Sequence, residues 1–388
     1  MKLTRITSGG SIIPEIEGLR FCAISIVVFH HLIGQLFRLG GVQFDGSLSS
    51  RFVKQRILVA GRFGVMLFFS ISGFILALRF AQQHLGGGRQ VDIKAYFLRR
   101  LTRLEPPFLV NALLVLPVAI AFNGTSPQVL LEYLASIFYL HLPIYHSAPT
   151  LNGVTWSLEM EIQFYILAPL FGLIYKVRPR VLRYSLFTLM ATLAAWASIH
   201  FQDVPWYRRS VLFYFLYFIV GFLLADVAVD LWKGQRAKTW GWDLASLLGW
   251  GMIAIFVYFD DHVTIDGITP FVCIGIFLAY AGALRGYLSS SILSFGFIPI
   301  IGGMCYTIYL YHFYVIILAS HITFRLLKGH SFLPYLATQS LLILPLIAVV
   351  SAIMFALVER PCMDSRWPAR LWSKWRSAES VKKQIKKL

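Results

Sequence analysis

The chain has 388 residues, of which 57% are hydrophobic and only 14% are charged. The charged residues lie between long apolar runs, which excludes a soluble domain and indicates a polytopic membrane protein built of helices. The runs do not alternate in polarity as the strands of a barrel would. The formal net charge of +17 is explained by basic cytosolic loops rather than by binding to nucleic acid. Four scattered cysteines predict neither a disulfide framework nor a metal site.

The apolar runs predict an all-α fold with about ten transmembrane helices, since each could cross the roughly 30 Å hydrocarbon layer. In chain order the runs cover residues 19–37, 62–80, 106–122, 158–175, 183–200, 209–228, 243–259, 268–284, 298–320 and 335–357. Residues 129–145, between the third and fourth runs, are apolar but short and carry a glutamate. They are predicted as a re-entrant or interfacial segment. Residues 123–157 then stay wholly on the outer side.

Basic residues indicate which loops face the cytosol. They cluster in residues 79–105, 176–183 and 230–242 and again in the tail 362–388. Because cytosolic loops of membrane proteins are rich in Lys and Arg, this distribution predicts that both termini are cytosolic. The tail is predicted to lie as an interfacial helix on anionic lipid. Residues 1–361 are predicted to form one transmembrane domain.

The first apolar run carries an arginine at its start, Arg20, and two histidines in its middle, His30 and His31. At about 100° per residue, His31 lies roughly 20° from Arg20 around a helix, whereas His30 lies about 80° away. The eleven residues from Arg20 to His31 rise about 16 Å, from the membrane surface towards its centre. Since an ionisable residue inside a span is costly and commonly functional, the helix geometry selects His31.

Several motifs of the chain resemble one family. The Arg20-x10-His31 spacing is similar to the signature of the acyltransferase-3 family of integral-membrane O-acyltransferases. Four further motifs follow in the order typical of the family: Gly64-Val65-x-x-Phe68-Phe69-x-x-Ser72-Gly73-Phe74, Arg99-Arg100-x-x-Arg103-x-x-Pro106, Trp156-Ser157-Leu158-x-x-Glu161-x-x-Phe164-Tyr165, and Gly302 to His312, with Glu359-Arg360-Pro361 near the end. Together they cover nearly the whole chain.

The arginines Arg99, Arg100 and Arg103 suit phosphate groups, because a guanidinium presents a fork of donors. A plain positive-inside anchor is the alternative reading of this cluster. The resemblance implies that the phosphates belong to acyl-CoA as the co-substrate, without a metal. Arg20 is predicted to join these three residues in binding acyl-CoA.

The resemblance maps the glutamate of the family onto Glu161 and not Glu159. We predict His31 and Glu161 as catalytic residues, with His31 as the general base on the acceptor hydroxyl. An acyl-histidine intermediate is the alternative mechanism. Residues predicted to contact the acceptor are Ser72, Trp156, Ser157 and His312. His141 is predicted to be a surface group.

The resemblance implies transfer of an acyl group, acetyl first, from cytosolic acyl-CoA to a sugar hydroxyl. The acceptor would be a cell-surface glycan or glycolipid such as O-antigen or an exopolysaccharide, and the location a bacterial inner membrane. The alternative function is a transporter or flippase, in which buried His, Glu and Arg residues form a path. The identity of the acceptor and the length of the acyl group stay open.

Overall fold

The computed structural model describes residues 3–6, 12–39, 58–235, 237–259, 265–326, 332–364 and 367–368. Within these ranges the regular structure is helical, without strands. The helices are α1 (Pro14–Leu39), α2 (Leu58–His84), α3 (Ile93–Asn123), α4 (Pro127–Ile137), α5 (His141–Tyr145), α6 (Trp156–Phe171), α7 (Arg180–His200), α8 (Pro205–Arg208), α9 (Val211–Asp226), α10 (Trp240–Phe259), α11 (Ile265–Arg285), α12 (Tyr287–Leu293), α13 (Ile298–Gly303), α14 (Cys305–Leu326), α15 (Phe332–Met354) and α16 (Arg360–Cys362). Apart from five residues, the predicted tail 362–388 lies outside the described ranges.

The prediction of a polytopic all-α membrane protein is confirmed. Eight helices of the described residues are long and apolar enough to cross a membrane, and the bent pair α11 and α12 could form a ninth span. The bend of 87° is stabilised by a contact with another helix. Asp243 of α10 accepts hydrogen bonds of 2.8 Å from the backbone N–H groups of Tyr287 and Ser289. The carboxylate thus caps the start of α12, as side-chain oxygens do at helix N-termini. The predicted span 298–320 is also broken, between α13 and α14.

The segment predicted as re-entrant or interfacial forms the short helices α4 and α5. They contain eleven and five residues, so they are only about 16 Å and 8 Å long. Neither length reaches the roughly 30 Å of the hydrocarbon layer. The side chain of Asn123, at the end of α3, donates to the carbonyl of Thr150 across 3.2 Å. The two ends of this segment therefore lie together.

Helix α1 lies at the centre of the fold and packs against α2, α11, α12, α13, α14 and α15. Small residues allow these helices to approach closely, as is typical inside membranes. A Cβ atom on Gly302 of α13 would lie 1.8 Å from the carbonyl oxygen of Glu17. A Cβ atom on Gly64 of α2 would lie 2.7 Å from the carbonyl oxygen of Ala23. Glycine at these two motif positions thus sets the distance between α1 and its neighbours.

An ion-pair network joins α7 to α9. Arg183 is fully buried, and its guanidinium donates to Asp226 and, across 2.5 Å, to Asp230. The same side chain donates to the carbonyl of Val177 across 2.8 Å. A buried guanidinium requires such partners, since an unpaired buried charge is strongly unfavourable. Arg183 belongs to the basic segment 176–183, from which the cytosolic side was predicted. In the structure its buried side chain has a structural role.

Candidate active site

A cavity of about 520 Å³ lies among α1, α2, α3, α6 and α14. Seven of the ten predicted site residues line it: Arg20, Ser72, Arg99, Arg100, Arg103, Ser157 and Glu161. The sequence motifs that carry these residues are up to 141 positions apart, since 161 minus 20 is 141. The fold therefore joins motifs of four different helices around one space.

The charges of the cavity lining are predominantly positive. Six arginines and three glutamates of the described residues line it, which gives a formal excess of three positive charges: Arg5, Arg20, Arg79, Arg99, Arg100 and Arg103 against Glu17, Glu161 and Glu359. A cavity with such a lining favours a ligand that carries several negative charges.

The arginine cluster (Arg99, Arg100 and Arg103) lies at the start of α3. The guanidinium carbon of Arg100 lies 4.4 Å from the ring centre of Tyr96 and 4.7 Å from that of Tyr165. Such stacking on aromatic rings fixes the plane of a guanidinium. The Nε atoms of Arg100 and Arg103 are buried without a hydrogen-bond partner among the described residues. Both side chains thus retain a donor for an anionic oxygen.

Arg5 is a cavity residue that sequence reasoning missed, because residues 1–18 carry no motif before the first apolar run. Its guanidinium donates to Oε1 of Glu17 across 2.8 Å. Arg20 donates to both oxygens of the same carboxylate, across 2.8 and 2.9 Å. The segment is held in place by Arg360, whose Nε donates to the carbonyl of Thr4 across 3.1 Å. Arg5 and Arg20 therefore form one ionic group around Glu17.

Glu161 accepts hydrogen bonds from two hydroxyl groups. Ser72 of α2 donates to its Oε1 across 2.5 Å, and Tyr165 donates to the same oxygen. Tyr165 was missed as a site residue, although its i+4 spacing from Glu161 places both on one helix face. Ser157, one helical turn before Glu161, also lines the cavity and lies 3.1 Å from the hydroxyl of Tyr309. The carboxylate is thus held in a fixed position inside the cavity.

Glu159 differs from Glu161 in its surroundings. It is buried, and its Oε2 accepts a hydrogen bond of 2.8 Å from the backbone N–H of Leu142. Glu159 therefore holds α5 against α6 and does not line the cavity. The expectation that His141 is a surface group is wrong, because its side chain is fully buried. Its Nε2 lies 3.0 Å from Oγ1 of Thr150.

His31 and His312 contact each other. Nδ1 of His31 lies 2.9 Å from Nε2 of His312. Neither histidine is among the residues that line the cavity, whereas Val27 and Tyr309, about one helical turn from them, do line it. The cavity therefore joins the arginines to Glu161 directly, and His31 is not part of its lining. The histidine pair adjoins one end of a cavity that the arginine cluster and Glu161 share.

His30 was not selected as a site residue, and Trp156 was predicted to contact the acceptor. The ring of His30 lies 5.0 Å from that of His31 and against α2, where a Cβ atom on Gly61 would lie 2.0 Å from it. Trp156 packs between the rings of Phe69 and Tyr214, with ring centres 6.5 and 5.4 Å away, and does not line the cavity.

Among the described residues, no group of three His, Cys, Asp or Glu side chains could hold a metal ion.

Comparisons with known proteins place these residues in context. The model of the acyltransferase-3 family, described as an acyltransferase domain, matches residues 13–359. The chain is similar to the O-acetyltransferase OatA of Staphylococcus aureus (strain NCTC 8325 / PS 47), with 27% identity over 205 residues, which is 49% of this chain and 30% of that protein. It is also 25% identical over 340 residues to the peptidoglycan O-acetyltransferase OatA of Listeria monocytogenes, covering 79% of this chain and 50% of that protein.

The chain thus spans half or less of the length of these two curated relatives. No solved structure matches it.

Proposed function

This chain belongs to the acyltransferase-3 family. We propose that it transfers an acetyl group from cytosolic acyl-CoA to a sugar hydroxyl on the outer side of a bacterial inner membrane. The observation that supports the proposal most is the shared cavity, which joins the arginine cluster to the Glu161 carboxylate. One end of this space suits a polyanion and the other suits a hydroxyl group. A donor and an acceptor of these chemistries meet in such a space.

The donor occupies the arginine end. Acyl-CoA carries several phosphate charges, and Arg forks bind phosphate oxygens with strong, charge-assisted hydrogen bonds. These hydrogen bonds come from two groups of arginines. One consists of the buried Nε donors of Arg100 and Arg103, and the other is the ionic group of Arg5 and Arg20. The volume of about 520 Å³ falls in the range of pockets for drug-sized ligands. The cavity accommodates the pantetheine arm, whereas the nucleotide stays near its cytosolic mouth.

The acceptor hydroxyl reacts near the histidine pair. His31 takes the hydroxyl proton, the hydroxyl oxygen bonds to the acyl carbon, and the carbon–sulfur bond breaks. His31 then gives its proton to the departing thiolate. A positioned general base of this kind contributes about 10²–10⁴-fold in rate. Glu161, held by Ser72 and Tyr165, orients the acceptor through a hydrogen bond, which fixes the two reactants relative to each other.

The acceptor proposed for a first test is a glycan of the cell envelope. The listerial relative is named a peptidoglycan O-acetyltransferase. Peptidoglycan sugars are therefore the first acceptors to test, and O-antigen and exopolysaccharide are the alternatives. Both termini of the chain are proposed to be cytosolic, since the basic segments 79–105 and 176–183 face that side under the positive-inside rule.

The test uses purified protein in lipid nanodiscs with radiolabelled acetyl-CoA and soluble peptidoglycan fragments. Label should appear on sugar hydroxyls, and free CoA should form in equal amount. The His31→Ala variant serves as the control and should bind CoA without turnover. Movement of a glycan across proteoliposomes without any release of CoA from acetyl-CoA would instead support a transporter or flippase and overturn the proposal.

A further inference from the structure

The contacts of His312 define which of its ring nitrogens carries hydrogen. Nδ1 of His312 lies 2.9 Å from the carbonyl oxygen of Ile308 and 2.8 Å from that of Tyr309. A carbonyl oxygen only accepts hydrogen bonds, so Nδ1 must be the donor. In a neutral imidazole the other nitrogen is then an acceptor. Nε2 of His312 therefore presents a lone pair.

That lone pair faces His31, 2.9 Å from its Nδ1. His312 is fully buried, and no carboxylate among the described residues hydrogen-bonds to it. A charged imidazolium in such a place is strongly disfavoured, which leaves His312 neutral. His31 also has a backbone hydrogen bond with Val27, and its short contact with His312 is a hydrogen bond only if Nδ1 of His31 carries a hydrogen and donates it. The other nitrogen of His31, Nε2, is then unprotonated.

We infer that His312 is a positioning residue that holds His31 in the Nδ1–H tautomer and so makes Nε2 the reactive nitrogen. The inference rests on the proposed function only in the role it gives to His31. The ring of Phe313, with its centre 5.3 Å from that of His31, packs against the same imidazole and limits its rotation. The partner of one ring nitrogen sets the state of the other, as is general for functional histidines.

Proton transfer to Nε2 of His31 strengthens its contact with His312. When Nε2 of His31 takes the hydroxyl proton, His31 becomes an imidazolium whose Nδ1–H already donates to His312. The hydrogen bond then has a charged donor and becomes stronger. The proton leaves from Nε2 to the thiolate, and Nδ1 keeps its hydrogen throughout. Direct attack by Nε2 on the thioester would need the same tautomer, so the inference holds for either mechanism.

Two substitutions at His312 separate positioning from packing. In His312→Gln the amide oxygen can reach the place of Nε2 and accept the hydrogen of His31. In His312→Asn the side chain is too short to reach His31 but can still donate to the backbone carbonyls. We expect the Gln variant to keep kcat within about tenfold and the Asn variant to lose about 100-fold or more, within the range of a lost general base. The KM for acetyl-CoA should stay unchanged in both. Equal losses in both variants would overturn the inference.

A second measurement does not depend on turnover. Nitrogen-15 spectra of histidine-labelled protein in lipid report the tautomer of each imidazole, and the His31→Gln variant identifies the His31 signals. Wild type should show hydrogen on Nδ1 of His31, and this state should be lost in His312→Asn and retained in His312→Gln. Hydrogen on Nε2 in wild type would refute the inference. Turnover and spectra test different statements. Full turnover by His31→Gln would refute the role of His31 as the base in the proposed function. The spectra of wild type would still show which nitrogen of His31 carries the hydrogen.

Discussion

The hydroxyl of Ser72 lies 2.5 Å from Oε1 of Glu161, and this hydrogen bond joins α2 to α6 inside the cavity. Tyr165 donates to the same oxygen, while its ring lies 4.7 Å from the guanidinium carbon of Arg100. Tyr165 thus contacts both the Glu161 carboxylate and the Arg100 guanidinium. The position of the Glu161 carboxylate and that of the Arg100 guanidinium are coupled through this side chain.

The two hydroxyl groups should hold Glu161 for the acceptor and not for the donor. Removing one donor from a charged acceptor costs about 1.5–3 kcal/mol, which is about 10- to 100-fold in rate. We expect Ser72→Ala and Tyr165→Phe to lower kcat/KM for the glycan by that factor and to leave the KM for acetyl-CoA unchanged. Ser70→Ala is the control, because Ser70 donates to the carbonyl of Tyr217 outside the cavity lining. A donor KM that rises in Tyr165→Phe would show that its hydroxyl serves the donor.

The two adjacent histidines of α1 should differ in their effect on activity. His31→Ala should reduce acyl transfer about 10²–10⁴-fold, the contribution of a general base, while the protein still inserts and binds CoA. His30→Ala should keep substantial activity, because the ring of His30 lies against Gly61 of α2, whereas His31 makes the contact with Nε2 of His312. Initial rates with acetyl-CoA, and CoA affinity by calorimetry, check both. An inactive His30→Ala beside an active His31→Ala would reverse the assignment.

The apolar runs were sufficient to predict the membrane class and the places of the helices, because hydropathy and length set a span locally. The breaks within spans were not predictable in this way. The turn between α11 and α12 depends on Asp243, which lies more than 40 residues earlier in the chain. A carboxylate from another helix supplies that cap, and only the tertiary fold brings it there.

The same distinction applies to the site. Helical spacing favours His31 over His30, and the motifs indicate Glu161 and the arginine cluster; the catalytic roles of these residues stay predictions. Which helix would meet His31 was not predictable, since His312 is 281 residues away in the chain. Arg5 gave no signal either, because its place in the cavity depends on contacts of the N-terminal segment with Glu17 and Arg360.

The arginines of the cavity should act on donor binding. Arg5→Ala, Arg100→Ala and Arg103→Ala should each raise the KM for acetyl-CoA more than they lower kcat. The reason is that phosphate contacts are equally strong in the ground and transition states. Arg89→Ala, a change outside the cavity lining, is the matched control for lost positive charge. If the donor KM is unchanged in all three cavity variants, the arginines serve only as membrane anchors.

Stability should fall in mild acid because of His141, which lies in α5, outside the predicted spans. Burial lowers the pKa of His141, against the opposite influence of the nearby Glu132 carboxylate. The unfolded state, with a pKa of about 6.5, then binds the proton more readily than the folded state. The stabilisation is therefore present above about pH 6.5 and lost as the pH falls below it.

Thermal unfolding in detergent between pH 7.5 and 5 checks this pH dependence. The melting temperature of wild type should decrease towards pH 5, and His141→Gln should decrease less. The same substitution at the exposed His146 is the control and should keep the wild-type slope. An equal slope for wild type and His141→Gln would place the titrating group elsewhere.

The last prediction concerns the membrane topology, on which a donor and an acceptor from opposite sides depend. The hydrogen bonds from Asn123 to Thr150 and from Tyr133 to Gly124 hold α4 and α5 against the end of α3. The chain therefore leaves α3 and begins α6 on the same side of the membrane. In a variant without the four native cysteines, single cysteines at the exposed positions Ser126 and Ser147 should both react with an impermeant thiol reagent on intact cells. A cysteine at Lys94 should react only after lysis. Labelling of only one of the two outer positions would show that α4 and α5 cross the membrane, and the two-sided reaction would then be excluded.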